Sequence, residues 1–520
     1  MIFVSFMNDD FQIIGGTTPG NFLEIFSPFW NLHSWGYYWR PLVKLIYNIL
    51  LFLNGFQPFL FHLTALVLYS IVPGLVVLSA HKIGFDRRVA VLSGLVFAML
   101  PSHELHTAWL SDMVENLSAI FILITFIKVI SLIEKKITVS ADYFWVFLFF
   151  LLSLFSKEIA FILLILPLLI LIIIKPLDKI KLRKTLNTIG LMIITFSLYL
   201  FYRIVFINSN PFGAHHFNDS NIISMIKNFL LYIPVSFVSP DWLEIIFFKF
   251  SLTQLLFSGI VVTVLLAMII MKIYPTIKKR EKEMLLFSGG WYLIFIIPVL
   301  PAFMRWYAFI ASIGLVWLLS FLIIKISERL ISKKYFYVMG LIIFLILFYT
   351  NISASLNWNE AGAKMDRIIQ NIQQNKNHLD SDTIVVWGLP DKYKRVPIMK
   401  LGSQQTFQYA LDGKMIEVLS PLRSEIALSN SNIEFVRKSD STFTLVLEGG
   451  RFLQEGGKSR RVFINEELEF ANSDYSIKVK NKLDDSIYPH AKCDVVVSNE
   501  MKNYFHLYYD GNDFRRIKFK

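Results

Sequence analysis

YAFIASIGLVWLLSFLII, residues 307–324, carries no charged side chain and decides the class of the whole chain. At about 1.5 Å per residue, a helix of this length covers nearly all of the ~30 Å hydrocarbon layer of a bilayer. Arg305 and Trp306 stand before it, and Lys325, Arg329, Lys333 and Lys334 follow it. Working outward, runs of the same kind lie near 58–80, 89–101, 116–133, 142–155, 159–174, 186–206, 252–271, 283–300 and 335–351. The pattern predicts a polytopic α-helical membrane protein with ten spans. Composition agrees: 55% of the 520 residues are hydrophobic and 17% charged, against about 25% charged in soluble domains.

The apolar runs stop at residue 351. This shift predicts a membrane module over 1–351 and a water-exposed domain over 352–520. In the second part, 352–380 reads as a polar helix through Lys364, Arg367 and Gln370. Short alternating strands follow at Thr383–Trp387, Phe443–Leu447, Tyr475–Val479 and Asp494–Val497, separated by turn signals such as Glu448-Gly449-Gly450. The expected fold is a helix bundle with a small C-terminal β-rich domain.

Charge in the connections alternates. Segments 81–88, 134–141, 175–184, 272–283 and 325–334 hold 19 Lys and Arg, whereas 1–57, 101–115, 156–158, 203–250 and 301–306 hold seven. Basic loops stay in the cytoplasm, so the second set and the tail are expected on the outer side, in a setting such as a bacterial inner membrane. The N-terminus then lies outside ahead of an even number of spans, an arrangement that expects one further helix before Asp9. No cleavable signal peptide is evident, since Ile2-Phe3-Val4 is far too short an apolar run.

The net charge of +12 does not point to nucleic acid. Residues 1–351 hold 27 Lys and Arg against 17 Asp and Glu, while 352–520 hold 24 against 22. The excess therefore sits where basic residues orient helices. A single cysteine, Cys493, excludes an internal disulfide framework and a cysteine-rich metal site.

Ionisable groups at helix ends in a membrane protein mark functional sites by default. The outer set contains Asp9, Asp10, Arg40, His103, Glu104, His106, Asp112, Lys157, Glu158, Arg203 and Arg305. Aromatic residues Trp35, Tyr37, Tyr38 and Trp39 lead into Arg40-Pro41, where proline suits the first turn of an amphipathic interfacial helix. His103 and Glu104 fall in Pro101–Trp109, which reads first as a hydrogen-bonded helix cap with an interfacial Trp and only second as part of a divalent-metal site. Metal dependence is left open. Lys157 and Glu158 form a tight connection between apolar runs; Lys157 is expected to recognise phosphate or, nearly as readily, the two to form a structural ion pair. Arg305, just before Tyr307, has the bidentate geometry that suits a phosphate.

Taken together, the motifs resemble a known family. An acidic pair comes first, then Tyr38-x-Arg40-Pro41-Leu42 and Gly55-x-x-Pro58-x-x-Phe61-His62-Leu63-Thr64. Pro101-x-His103 with Ala108-Trp109, Ser156-Lys157-Glu158, and Arg305-x-Tyr307 followed by Ser312-x-Gly314 complete the order. Over about residues 8–320 this resembles the polytopic GT-C glycosyltransferases, in the protein O-mannosyltransferase and TMTC-like branch. The resemblance implies transfer of a sugar from a polyprenyl-phosphate donor to an acceptor hydroxyl, on a protein or a glycan, with inversion on the outer face. It implies Asp9 as the base, with Asp10 beside it. The family's acid two positions after the histidine corresponds here to Leu105, so Glu104 departs from the pattern. The tail shows none of the helical repeats found in animal relatives.

Chemically, a carboxylate within reach of a hydroxyl can accept its proton as the new bond forms. Cations stabilise the charge that gathers on a leaving phosphate. Arg305, Lys157, Arg203 and Arg40 are the candidates for that role, with His103, Glu104, Glu158 and Tyr307 supporting. Residues 1–351 hold no nucleotide-binding glycine loop or Asp-x-Asp motif, as expected of a lipid-linked donor. Two other readings stand beside this one: a flippase or transporter of lipid-linked glycans, and a polysaccharide polymerase or ligase that consumes the same kind of donor. No internal two-fold repeat favours the transporter.

Overall fold

The computed structural model describes the chain apart from residues 1–3, 16, 18, 28–29, 33–35, 174–177, 208–220, 238–260, most of 262–276, 331–332, 377–381, 395, 429–430, 455–466, 483–489 and 520. Trp35 and most of the expected 252–271 span lie outside the described residues. The chain divides into two compact units, Thr17–Ser355 and a second made of Met1–Gly16 with Leu356–Lys520.

The first unit is a helix bundle. Among the described residues, Pro58–Ile83, Leu110–Glu134, Lys179–Val205, Lys279–Val299, Arg305–Glu328 and Gly340–Gln374 are long and apolar enough to cross a membrane. A seventh span results if Arg87–Ala98 and Pro101–Ala108, bent by 54°, count as one. Among the described residues, two of the ten expected runs take other forms. The 142–155 run forms the 17-residue helix Ser140–Ser156. The 159–174 run breaks into a 3-10 stretch, Glu158–Leu164, and the short helix Leu166–Ile170. Pro167, in the first turn of that helix, lacks the N–H needed to continue the preceding turns. A further apolar helix, Ile222–Phe237, stands in what reads as an outer loop.

Helices carry both burial faces expected of a bundle in lipid. Leu78, Leu95, Leu186, Ile194, Leu198, Phe201 and Leu286 are exposed around the unit, as apolar solvent permits. Inside, Phe126, Phe287, Trp291 and Trp317 interlock, with the two indole rings 5.2 Å apart. Each indole N–H donates to a carbonyl, Trp291 to Ile310 at 3.0 Å and Trp317 to Val76 at 3.3 Å, so neither polar atom is stranded. Helices Lys279–Ile296 and Ala308–Leu330 meet at Gly314. A Cβ there would lie 2.4 Å from the Ser288 carbonyl oxygen and 2.9 Å from the Tyr292 nitrogen. The Ser312-x-Gly314 motif is therefore a close helix contact.

The last apolar run and the polar helix after it prove to be one helix, Lys333–Gln374. No proline or glycine stands between Leu341 and Ala361 to break it. From Leu356 onward it belongs to the second unit.

That unit is built on two sheets. All four expected strands are present, within Thr383–Tyr393, Thr442–Glu448, Tyr475–Lys482 and His490–Val497. Thr383–Tyr393 is central in one sheet, parallel to both Phe505–Tyr509 and Glu417–Ile426. The crossover between two parallel strands carries the helix Ser403–Ala410, as parallel pairing requires. The other sheet is antiparallel, ordered Ile433–Arg437, Thr442–Glu448, His490–Val497, Tyr475–Lys482 and Glu467–Ala471.

Candidate active site

Within the helical unit, the sequence-derived cations come together at helix ends, and each meets a carboxylate or phenol. Arg40 caps Pro41–Asn54, with Nη2 and Nε donating to Glu158 at 3.1 and 3.3 Å. Lys157, at the C-terminus of Ser140–Ser156, pairs with Glu115, which sits in the first turn of Met113–Glu134. Arg305 begins the turn before Ala308–Leu330 and pairs with Glu104 at 2.8 Å. Arg203 lies in the last turn of Lys179–Val205, with Nη1 donating to the Tyr199 hydroxyl at 3.2 Å.

Most of these placements suit the helix dipole. Lys157 and Arg203 stand at C-termini, and Glu115 and Glu158 in first turns. Arg305 stands at a helix start, where the dipole repels a cation, and Glu104 offsets this.

The sequence also allows Lys157 and Glu158 to pair with each other. They instead face different partners, because the helix-to-3-10 junction between them turns successive side chains apart. Glu115 was missed by the sequence reading. Its signal was present, however: an acid at the head of a long apolar run.

The pairs are linked. The Lys157 ammonium lies 4.9 Å from the Tyr307 ring, Tyr307 is two residues from Arg305, and Trp306 meets Trp109 edge-on at 5.5 Å. Trp39, adjoining Arg40, packs on Tyr202, Tyr199 and Phe155 at 4.7–5.4 Å. Among the described residues the cluster gathers four cations and three carboxylates. Arg305 is the most exposed of its paired cations, 23% against 8% for Lys157 and 11% for Arg40. Such a cluster can receive a dianion if a carboxylate yields its place.

His103 has another role. Nδ1 lies 3.0 Å from the Phe97 carbonyl and 3.3 Å from the Tyr69 hydroxyl, and Nε2 lies 3.4 Å from Ser312 Oγ. Phe97 and Phe309 flank the ring. Pro101-x-His103 therefore joins three helices as a hydrogen-bonded post. His106 faces Asp112 at 3.2 Å. Among the described residues no group of three or more His, Cys, Asp or Glu could hold a metal ion.

Asp9 and Asp10 belong to the other unit. Asp9 caps the short helix Asp10–Gly15, its carbonyl accepting from Gln12 and Ile13 at 3.0 and 3.1 Å. Met7 N–H donates to Asp10 Oδ2 at 3.1 Å, and Asn8 Nδ2 donates to Asp9 Oδ1 at 3.1 Å. Both acids are buried.

No family model matches the chain, and no curated protein matches it. Among solved structures the chain is similar to ArnT from Cupriavidus metallidurans bound to undecaprenyl phosphate, at 12% identity and a TM-score of 0.42, with 80% of this chain and 82% of that one covered. The apo state of the same protein gives 11% identity and a TM-score of 0.40 over the same shares.

Proposed function

We propose that this chain is a GT-C membrane glycosyltransferase. It moves a sugar from a polyprenyl-phosphate donor to an acceptor hydroxyl on the extracytoplasmic side, inverting the anomeric carbon. The observation that carries the reading is the cluster of Arg40, Lys157, Arg203 and Arg305, drawn from four helix ends of an apolar bundle. Buried charges are costly, and a structural bundle gains little from four cations at one place. A lipid phosphate supplies both the apolar tail and the dianion that such a unit accommodates.

In this reading Arg305 and Lys157 hold the donor phosphate and stabilise its charge as the sugar departs, with Arg203 and Arg40 behind them. Asp9 accepts the acceptor's proton, and Asp10 orients the segment. Tyr307 fixes Lys157. His103, Glu104 and Glu158 hold the frame. The motif order supports the protein O-mannosyltransferase branch, and hence a mannosyl donor and a protein acceptor.

The test is turnover of polyprenyl-phosphate mannose, and of other polyprenyl-phosphate sugars, by purified protein in lipid. Asp9→Asn is expected to lower kcat by about 10²–10⁴-fold, the range for loss of a general base. Full turnover by that variant rejects Asp9 as the base. No release of lipid phosphate from any such donor rejects the reading itself.

A further inference from the structure

Asn8 has an unusual backbone for its side chain, φ +55°. Asparagine tolerates this left-handed region better than most residues, so the conformation calls for a reason. One is visible in its contacts. The N–H donates to the Ile398 carbonyl at 2.5 Å, and Oδ1 accepts from the Leu401 N–H at 2.7 Å. Nδ2 donates to Asp9 Oδ1 at 3.1 Å. Asparagine's two-sided amide is thus used on both sides, with an acceptor toward the 398–401 loop and a donor toward Asp9.

The loop itself is braced. Arg423, on Glu417–Ile426, donates to the Met399 carbonyl at 2.8 Å and to Asp391 on Thr383–Tyr393 at 2.9 Å. These two strands are parallel neighbours in the central sheet. Gly402, at φ +72°, lets the loop close on Asn8. A Cβ there would lie 2.3 Å from the Asn8 carbonyl oxygen. Phe11 packs on Tyr409 at 5.3 Å, which fixes the short helix that Asp9 caps.

We propose that Asn8 is a positioning residue that holds the Asp9 carboxylate for proton acceptance and couples it to the Arg423-braced loop of the β-rich domain. This rests on the reading of Asp9 as base. The domain's contribution to the reaction is then to aim an acid that the chain itself presents far away in sequence. Rigid strands transmit that aim better than a free N-terminal segment, because they lock the supporting contacts.

Asn8→Asp separates positioning from scaffolding. It keeps the acceptor for Leu401 but replaces the donor to Asp9 by a carboxylate, which repels it and favours its protonated form. Asn8→Gly keeps the left-handed backbone and removes both side-chain bonds. Turnover of polyprenyl-phosphate sugar is measured against pH for native protein and both variants. In parallel, a hydrophobic carbodiimide, which modifies protonated carboxyls, is read by mass spectrometry at Asp9 across pH; this arm needs no turnover.

For Asn8→Asp the expected result is a roughly 10-fold fall in kcat with donor KM within about twofold. The acidic limb of the profile and the carbodiimide midpoint should both move up by about one pH unit. Asn8→Gly should lose kcat to a similar extent with a smaller shift of the limb. Native kcat and an unmoved carbodiimide midpoint in Asn8→Asp overturn the proposal. So does an equal loss in both variants with no shift of either pH midpoint, the signature of a purely structural tie. If native protein turns over none of the donors, the proposed reaction fails, while the carbodiimide arm still decides whether Asn8 governs Asp9.

Discussion

Replacing Glu115 by glutamine leaves the Lys157 ammonium without its counter-charge in a place where its side chain is 8% exposed, beside a partner 4% exposed. Water screens neither group there. Breaking a buried pair from one side costs about 3–5 kcal/mol. The Tyr307 ring, 4.9 Å from the ammonium, offsets about 1 kcal/mol of that. The net loss expected for Glu115→Gln is therefore about 2–4 kcal/mol, read as a lowered thermal midpoint in detergent. Lys157→Met with Glu115→Met replaces the pair by apolar side chains of similar volume and should regain most of the loss, as such replacements commonly do. Donor affinity should move in the opposite sense to stability. With Glu115 neutral, Lys157 is released for the lipid phosphate, and donor KM falls even as the protein melts earlier. A Glu115→Gln variant that melts with the native protein refutes the reasoning. So does a double variant no more stable than the weaker single one.

Arg305→Lys keeps the charge but loses the two-pronged guanidinium, and should cut donor kcat/KM about 10-fold; Arg305→Met should cut it about 10²–10³-fold, measured at saturating acceptor. Gly314→Ala forces a methyl group against the Ser288 carbonyl and should destabilise the bundle by about 1–3 kcal/mol, seen in the thermal midpoint. In the β-rich unit, burial pushes the Asp510 carboxyl up, but the Asp513 and Asn512 N–H groups and the Arg515 guanidinium pull it further down, below the ordinary carboxylate range. Its contribution to stability is thus complete above the unfolded value near 4 and disappears as pH falls through the folded one. Hydrogen-exchange protection factors across 505–517, which correct for the intrinsic pH dependence of exchange, should fall toward acid pH in native protein and show a flatter acid dependence in Asp510→Asn.

Much of the architecture follows from periodicity alone. Apolar runs such as 307–324 and alternating strands such as 443–447 stand where their patterns put them, because burial in lipid or against a sheet dominates their energetics. Periodicity fails where local chemistry competes with it. Pro167 splits a run that reads as one span, and the absence of any break after Leu341 joins two elements that read as separate. The candidate site was legible in one sense only. Cations at helix ends announce themselves, since isolated charges beside lipid need a reason. Their partners do not: Glu115 is 42 residues from Lys157, and Glu104 is 201 from Arg305. Such pairings are decided by how helices pack, which no window of sequence contains. The contacts of Asn8 are hidden for the same reason.

The bond between Asn8 and Leu401 spans 393 residues of chain, and this has a consequence for biogenesis. The segment bearing the acid is translated 393 residues ahead of the loop that seats it. Loop closure over such a distance comes late in folding. The seat of Asn8 therefore forms only after the intervening helices have been made. A product terminated before Ile398 would carry the Asp9 segment without the loop that holds it.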